Sequence, residues 1–251
     1  MPKISAIVLT LNEERNIGRC LESLSGIVDE IIVVDSFSTD RTEEIAKSHG
    51  STFIQQKFLG YIEQKNFALT KATYDHVLSL DADEALSDEL RLSILEVKES
   101  FDCEGYFVNR LANYCGQWIR HGGWYPDWKM RLFDRTKGTW RGTNPHDKYV
   151  LNKGSKSRKL KGDLHHYTFY TAEEHRKQVV NFTNISSQAK YDQGVRSNWM
   201  KICVKPMARF VKGYIFKLGF LDGYFGLRIA LYSTYATYLK YRKLLSIQQA
   251  K

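Results

Sequence analysis

Three short, nearly unbroken apolar runs set the architecture of the first third of the chain. They span residues 4–10, 30–35 and 75–81, and each ends in a polar side chain. Runs of this kind are typical of parallel strands that helices cover on both faces. Helical patterns separate the runs, and strands that alternate with helices connect by right-handed crossovers. The sequence therefore predicts an α/β fold with a mostly parallel, Rossmann-like sheet flanked by helices.

The remaining elements of this half follow from periodicity and turn residues. Asp40 is placed to cap a helix, with Glu43 three residues later completing a capping box. The other predicted elements are helices over residues 17–24 and 62–71 and a short strand over residues 51–54.

Polar side chains stand where the three main runs end. Thr10 and Asn12 follow the first run, Asp35 the second, and Asp81 and Asp83 the third. In open parallel sheets, ligands bind beyond the carboxyl ends of the strands. We therefore expect residues 1–100 to form a nucleotide-binding half.

Asp81-Ala-Asp83 is the strongest chemical signal of the chain. Two carboxylates at a strand end can approach one hard cation that also takes oxygens from a diphosphate. The alternative is a plain loop before the helix that starts near Ser87. Asp35 can accept hydrogen bonds from a base or a ribose hydroxyl, or it can simply form a turn. Neither a G-x-G-x-x-G nor a G-x-x-x-x-G-K-[ST] motif occurs, which argues against a Rossmann dehydrogenase and a P-loop ATPase.

The net charge of +9 is concentrated at one end of the chain. Residues 196–251 contain 11 Lys and Arg and one acidic residue, which leaves residues 1–195 with a net charge of −1. This distribution suggests an anionic partner, a membrane surface or a phosphorylated acceptor. The first residues lead straight into a strand and do not resemble a signal peptide, so we expect a cytoplasmic protein, peripheral on the inner face of the cytoplasmic membrane.

Taken together, the motifs resemble those of the family 2 inverting glycosyltransferases, which have a GT-A fold. Further segments are similar to a bacterial subgroup that includes lipopolysaccharide inner-core β-glucosyltransferases. The similarity runs from residue 3 to about residue 240. The three N-terminal motifs are residues 9–14, 33–40 and 80–84, and the subgroup segments are residues 64–66, 121–127 and 131–133.

The resemblance implies a site for a nucleotide-sugar donor, a UDP-sugar first of all, and for a divalent metal, Mg²⁺ or Mn²⁺. Two positions depart from the family pattern: Leu11, where many relatives carry a Tyr that stacks on the base, and Phe37, where Gly is common. By this resemblance, Thr10, Asn12 and Glu13 line the nucleoside pocket, and Asp35 binds the base. Lys65 and Asn66 face the nucleotide or its phosphates. Asp83 binds the metal, and Asp81 lies near the ribose or the same metal.

An inverting transfer needs one base, because the acceptor hydroxyl loses its proton as it attacks the anomeric carbon. The subgroup usually has a His-Glu pair about 60 residues after the acidic motif, and this chain has His146-Asp147 there. We therefore expect Asp147 to be the base, with Asp127 as the second candidate and a surface turn as the alternative. His165 and His166 are expected to be structural, since neighbours on a strand point to opposite faces.

Two other protein classes compete with this interpretation. A nucleotidyltransferase would need a glycine-rich, basic loop after the first strand, whereas residues 12–16 are acidic and lack glycine. A nucleic-acid-binding module would explain the basic end but not the ordered acids, so we expect no nucleic-acid partner. The predicted acceptor is a glycolipid or a polysaccharide of the cell envelope, such as the lipopolysaccharide core.

The C-terminal region is predicted to be a basic, amphipathic helical appendage. Residues 199–245 mix aromatic and basic side chains like helices that lie in a headgroup layer. The longest stretch without charge, residues 229–239, has 11 residues, against the ~20 that a spanning helix requires. The alternative to a membrane-bound helix is that the tyrosines at 232, 235, 238 and 241 form a stripe that packs against the catalytic domain. The predicted domains are a catalytic domain over 1–195, with an acceptor-side half over 101–195, and a membrane-peripheral region over 196–251.

Overall fold

The computed structural model describes residues 1–143 and 146–250, with nothing described for the side chain of His146. These residues form two compact units. The first unit contains Met1–Leu111 and Asp127–Tyr167. The second contains Ala112–Pro126 and the chain from Thr168 onward.

The first unit is built on a mixed sheet. Its strands lie in the order β3, β2, β1, β4, β8, β6, β11, β5, and β9 pairs with β10 in a separate hairpin. Strands β1 to β4 are parallel neighbours, whereas β8 is antiparallel to β4. The strands are β1 Ile4–Thr10, β2 Glu30–Asp35, β3 Thr52–Gln55, β4 His76–Asp81, β5 Glu84–Leu86, β6 Gly105–Tyr114, β7 Gln117–Ile119, β8 Trp128–Asp134, β9 Gly138–Thr143, β10 His146–Leu151 and β11 Ser157–Phe169.

Helices cover both faces of the parallel strands. They are α1 Ile17–Leu24, α2 Thr42–Ser48, α3 Tyr61–Leu69 and α4 Asp88–Glu99. Alternate residues of β1 enter two different cores: Ile4, Ala6 and Val8 pack with α1 and α4, and Ile7 packs with α3. Burial on both faces explains the unbroken apolar runs. The predicted fold class, an α/β sheet flanked by helices with a helical C-terminal region, is confirmed.

Helix α2 begins one residue later than the capping box predicted, with Arg41 rather than Asp40 at the N-cap position. The Asp40 carboxylate accepts a hydrogen bond from the backbone N–H of Thr42 at 3.0 Å, inside the first turn. The Glu43 carboxylate pairs instead with Lys47, one turn further on, at 2.6 Å. The capping-box prediction is therefore wrong, although Asp40 still binds a free N–H of the helix.

The second unit is mainly helical. Helix α7 packs against both α5 and α6. A π-helical turn over Val211–Phe216 and a 3₁₀ turn over Gly219–Asp222 connect α6 to α7. The helices are α5 Ala172–Asp192, α6 Trp199–Phe210 and α7 Gly223–Gln249.

The tyrosines of α7 do not share one face. The Tyr232 ring lies 4.6 Å from the ring of His175 on α5, whereas Tyr235 is 43% exposed. A spacing of three residues falls short of the 3.6-residue turn, so such a stripe winds around the helix. Among residues 1–143 and 146–250, no helix is long and apolar enough to cross a bilayer.

His175 gives the second unit a pH-dependent stability. It is buried, its Nδ1 lies 3.1 Å from the hydroxyl of Tyr114, and burial, helped by the charge of Arg228, lowers its pKa to about 4. The ordinary pKa of His is about 6.5, so below that pH the unfolded chain binds a proton that the folded chain does not. Folding stability from this group is therefore present at pH 7 and lost as the pH falls from about 6.5 towards 4.

We expect this group alone to remove about 2 kcal/mol of the free energy of unfolding between pH 7 and pH 5. Denaturant unfolding at the two pH values should show a smaller loss for His175→Asn than for the wild type. The exposed His49 provides the matched control, and His49→Asn should behave like the wild type. Equal losses for all three proteins would contradict a neutral, buried His175.

Candidate active site

The ends of β1, β2 and β4 bring the predicted polar residues to one edge of the sheet. Thr10 of β1 is in register with Asp35 of β2, and Leu9 is in register with Asp81 of β4. Thr10 Oγ1 is buried and has no hydrogen-bond partner within the described residues. The edge therefore presents two carboxylates and an uncommitted hydroxyl in neighbouring positions.

Asp35 organises the loop that follows β2. It is fully buried, and its carboxylate accepts hydrogen bonds from the backbone N–H of Ser38, at 2.8 Å, and from the Ser38 hydroxyl. The loop after β1 joins it: Asn12 N–H donates to Ser38 Oγ at 2.7 Å, and Asn12 Oδ1 accepts from Thr39 N–H at 2.8 Å. Asp35 thus fixes the two loops between which the resemblance places the nucleoside.

The two departures from the family pattern both lie on these loops. Phe37 has φ +66°, a left-handed conformation that glycine adopts at the least cost. This explains why Gly suits the position, and the Phe37 side chain is exposed. Leu11 is also exposed, so this position presents an aliphatic side chain where many relatives present an aromatic ring.

Lys65 on α3 joins two predicted site carboxylates. Its Nζ lies 2.7 Å from Asp147 Oδ2 and 3.6 Å from Asp81 Oδ1, and 4.5 Å from the centre of the Trp140 ring. Asp147 stands on β10, 82 positions further along the chain. The structure therefore brings Asp147 to the same place as Asp81.

These contacts belong to a longer run of alternating charges, which we term the charge network. The successive N···O distances along it are 2.7, 3.6, 2.8, 2.5, 3.5, 2.8 and 3.0 Å. It contains as many acidic as basic groups, so its own charges cancel. In order, its members are Asp147, Lys65, Asp81, Arg131, Glu84, Arg110, Asp127 and Lys129.

Arg131 and Glu84 in the middle of the charge network are buried, and the Asp81 side chain beside them is partly exposed. Burial would raise the pKa of Asp81, but the charges of Lys65 and Arg131 outweigh it and hold the pKa well below its ordinary value. Burial likewise opposes the charge on Arg131, whereas Glu84 and Asp81 raise its pKa. Asp81 is therefore ionised at neutral pH, and its carboxylate is held in place from both sides.

Asp127 sits at the other end of the charge network. Its Oδ2 accepts from Arg110 Nη2 at 2.8 Å, and its Oδ1 lies 3.0 Å from Lys129 Nζ. Although burial raises the pKa of Asp127, Arg110 and Lys129 lower it further, so the net shift is downward. A carboxylate whose pKa is lowered and that is held by two cations is a poor proton acceptor.

Asp83 contacts a histidine that the sequence analysis treated as structural. His166 Nε2 lies 3.1 Å from Asp83 Oδ2, and the backbone N–H of Tyr167 donates to the Asp83 carbonyl at 2.9 Å. The contact places the His166 side chain at the site, and no local pattern predicts this, because it depends on the pairing of β11 with β5.

The negative charges of Asp83 and Asp40 also act on Glu13. Burial, with the charges of Asp83 and Asp40 adding to it, raises the pKa of Glu13 to about 7, against the opposing hydrogen bond from Asn16. The Asn16 amide donates to Glu13 Oε2 at 2.7 Å. Glu13 is therefore a carboxyl group that changes protonation state near neutral pH.

Asp83 and His166 are the residues best placed to hold a divalent ion. Carboxylate and imidazole are both ordinary metal ligands, whereas both oxygens of Asp81 face cations. Across residues 1–143 and 146–250, no group of three or more His, Cys, Asp or Glu side chains could hold a metal by itself. An ion at Asp83 thus needs further oxygens, such as those of a diphosphate.

Asn66, a predicted site residue, binds the neighbouring strand β9 through its side chain. Its amide donates to the carbonyl of Trp140 at 3.0 Å and accepts from the N–H of Trp140 at 3.1 Å and the Thr139 hydroxyl at 2.9 Å. These bonds fasten α3 to β9 and leave Lys65 alone to face the acids. Buried polar atoms without a described partner include Nε of Arg131, a member of the charge network, and Nε1 of Trp140, whose ring contacts Lys65.

An α/β sheet with carboxylates at the ends of parallel strands has the architecture in which open α/β proteins bind their ligands. Residues 5–170 match the model of glycosyl transferase family 2. The chain belongs to glycosyltransferase family 2 and is a glycosyltransferase. The rival nucleotidyltransferase and nucleic-acid-binding interpretations are set aside by this membership.

Relatives of the chain extend over nearly its whole length. It is 33% identical to an uncharacterized glycosyltransferase of Rickettsia typhi, over 97% of this chain and 87% of that protein. It is 27% identical to the lipopolysaccharide core biosynthesis glycosyltransferase LpsC of Rhizobium meliloti, over 85% of this chain and 82% of that protein. A solved structure, glucosyl-3-phosphoglycerate synthase from Mycobacterium tuberculosis with Mn²⁺, UDP and phosphoglyceric acid, is similar over 45% of this chain and 44% of its own, with 26% identity and a TM-score of 0.38.

Proposed function

We propose that this glycosyltransferase moves a hexose, with inversion, from a nucleotide-diphosphate sugar to a cell-envelope glycolipid such as the lipopolysaccharide core. Family membership supports the reaction class, and the name of the Rhizobium relative supports the acceptor class. One observation carries the assignment of the site: Asp147 and Asp81, far apart in sequence, share the Lys65 ammonium group. A UDP-sugar is the proposed donor.

In this proposal the nucleoside lies between the loops after β1 and β2. Asp35 and Asn12 hold these loops together, and the uncommitted Thr10 hydroxyl faces the nucleoside. Asp81 is fixed by Lys65 and Arg131, so it presents a stationary negative charge beside the ribose or the metal. The loops and Asp81 thereby place the donor before any chemistry takes place.

The proton of the acceptor hydroxyl passes to Asp147. Its carboxylate is held beside Asp81 by Lys65, so a hydroxyl that binds there approaches the sugar from a fixed direction. A Mg²⁺ or Mn²⁺ ion bound by Asp83, with His166 beside it, would neutralise charge on the departing diphosphate. Lys65 adds a second positive charge in the same region.

We further propose that residues 1–195 carry the catalysis and that residues 196–251 keep the protein on the inner face of the cytoplasmic membrane. A glycolipid acceptor is confined to a membrane, so an enzyme that visits this surface meets its acceptor at a higher local concentration. The basic C-terminal region supplies the charge that such a surface attracts.

The proposed function predicts a metal-dependent response to one class of nucleotide. We expect a UDP-sugar with Mn²⁺ or Mg²⁺ to raise the melting temperature of the protein, because a ligand that binds only the folded state stabilises it. Slow donor hydrolysis should follow the same specificity in a screen of UDP-, GDP-, ADP- and dTDP-sugars. Omission of the metal is the control, and a shift that is equally large without metal would contradict metal-assisted donor binding.

A further inference from the structure

We propose that the membrane-contact surface is the exposed side of α6 together with the turns that follow it, and that an anionic lipid bilayer occupies it. This surface is a smaller part of the segment, residues 199–245, that the sequence predicts to contact the membrane. The inference rests on the proposed function only for its biological purpose, because lipid binding can be measured without donor or acceptor.

An apolar stripe runs along the exposed side of α6. Met200, Val204, Met207 and Val211 recur at spacings of four, three and four residues, which places them on one side of a helix. All four are exposed, Met200 by 68% and Met207 by 69%. Folding of a soluble helix normally buries such a stripe, so an exposed one indicates a surface with a partner.

The same helix has a second apolar side that is already used. Ile202 and Pro206 are buried, and α6 packs against α7. Helix α6 is therefore held in place by one side, and the stripe is not needed for that packing.

The exposed stripe continues into the turns before α7. Phe216 is 77% exposed, and Leu218 and Leu221 are exposed as well. Leu218 adopts a left-handed backbone conformation with φ +55° between the π-helical and 3₁₀ turns. We refer to the stripe and the exposed apolar residues of these turns together as the apolar strip.

Positive charge flanks this strip. Lys205 and Lys212 are exposed, and at about 100° per residue they lie on the same side of the helix, about a quarter-turn from the stripe. Lys217 is exposed in the following turn. An apolar strip with lysines along its edge is the pattern of helices that lie in the headgroup layer of a membrane.

Negative charge is kept away from the strip. The sequence contains no acidic residue between Asp192 and Asp222. Asp222 is buried, and its carboxylate accepts hydrogen bonds from the backbone N–H groups of Arg120, at 3.2 Å, and His121, at 2.8 Å. The charged residues exposed between the start of α6 and the start of α7 are therefore all basic.

Helix α7 supports this surface by packing against α6. Ile229, Ala230 and Leu244 are buried. Its Lys243 ammonium donates to the Val180 carbonyl and the Thr183 hydroxyl of α5, at 3.1 and 2.8 Å. A lysine that is committed to packing in this way is not free to attract lipid headgroups.

A second copy of the chain fits the strip less well than a bilayer does. Symmetric pairing would place the same patch on both partners and set the lysines of one copy beside those of the other. Such like-charge contacts oppose association, whereas anionic headgroups attract every one of these lysines. Charge complementarity therefore favours an anionic bilayer over a second copy of the chain as the partner of this strip.

The test measures binding of the full chain to phosphatidylcholine vesicles with and without phosphatidylglycerol, at low and high salt, by sedimentation. We expect binding only to the anionic vesicles and its release by salt. Because each lysine contributes about a fivefold factor at an anionic surface, the triple change Lys205→Gln, Lys212→Gln and Lys217→Gln should weaken partitioning about 100-fold. The triple change Met200→Ser, Val204→Ser and Met207→Ser should weaken binding at every salt concentration.

Matched controls carry the same chemical changes elsewhere. The exposed lysines 153, 156 and 161, changed together to Gln, and the exposed Leu92, changed to Ser, should leave vesicle binding unaltered. Melting temperatures establish that each variant folds. The inference would be overturned if the control changes weakened vesicle binding as much as the changes in the strip. It would also be overturned if sedimentation analysis showed a dimer that the Met200, Val204 and Met207 changes abolish.

The outcomes separate this inference from the proposed function. A protein that hydrolyses donor but ignores anionic vesicles overturns the membrane surface alone. A protein that binds vesicles through the strip but hydrolyses no donor overturns the proposed function alone.

Discussion

Replacing Asp83 by alanine is expected to lower glycosyl transfer by about 10³-fold, because the proposed metal loses its carboxylate and the leaving diphosphate loses charge compensation. The fold should survive, since the Asp83 side chain is partly exposed and its His166 contact is replaceable by water. Turnover of a UDP-sugar and the metal-dependent shift in melting temperature are the two measurements. Both should fall together.

Asp75→Ala is the matched control for this change. Asp75 is another partly exposed aspartate beside a cation, with its carboxylate 3.5 Å from Arg135 and its side chain at the far end of β4 from the site. It should retain both activity and the nucleotide response. Near-normal turnover of Asp83→Ala would remove this carboxylate from the mechanism.

Asp147→Asn is expected to lower kcat by about 10²-fold or more, within the range for the loss of a general base, with the donor KM little changed. The amide keeps the shape of the carboxylate and can still accept a hydrogen bond from Lys65, so the local structure should persist. The measurement is steady-state transfer to a glycolipid acceptor, with kcat and donor KM determined separately. Melting temperature reports whether the variant folds.

Asp127→Asn is the paired control at the opposite end of the charge network. Arg110 and Lys129 already hold Asp127, so its loss should affect stability more than proton transfer. If Asp127→Asn abolished turnover and Asp147→Asn did not, the two roles would be exchanged. The acceptor would then bind near β8 rather than near β10.

The parallel strands and their polar ends could be predicted because the information is local. An unbroken apolar run records burial on both faces, and the residue that ends it lies at the sheet edge whatever its neighbours are. This is why Thr10, Asp35 and Asp81 were placed correctly at one edge. The antiparallel strands β8, β6, β11 and β5 join segments distant in sequence, so no local pattern specifies their order.

The supporting residues of the site could not be predicted for the same reason. Arg131 was visible only as part of a family motif, yet it is buried between Asp81 and Glu84. A charged residue within the otherwise apolar stretch from Met130 to Phe133 was the available signal, because an Arg is almost never fully buried unless it is paired. His166 had no such signal, since its contact with Asp83 depends on a long-range strand pairing.

The buried middle of the charge network also restricts how this enzyme can change over evolutionary time. Removing one partner of a buried ion pair typically costs 3–5 kcal/mol, at least a fifth of the roughly 5–15 kcal/mol that keeps an average protein folded. Glu84 and Arg131 can therefore hardly be lost one at a time, whereas their joint replacement by apolar residues of similar volume can be neutral. Descendants of this gene should inherit the two as a unit, and Asp81 at the sheet edge is thereby tied to a buried partner behind it.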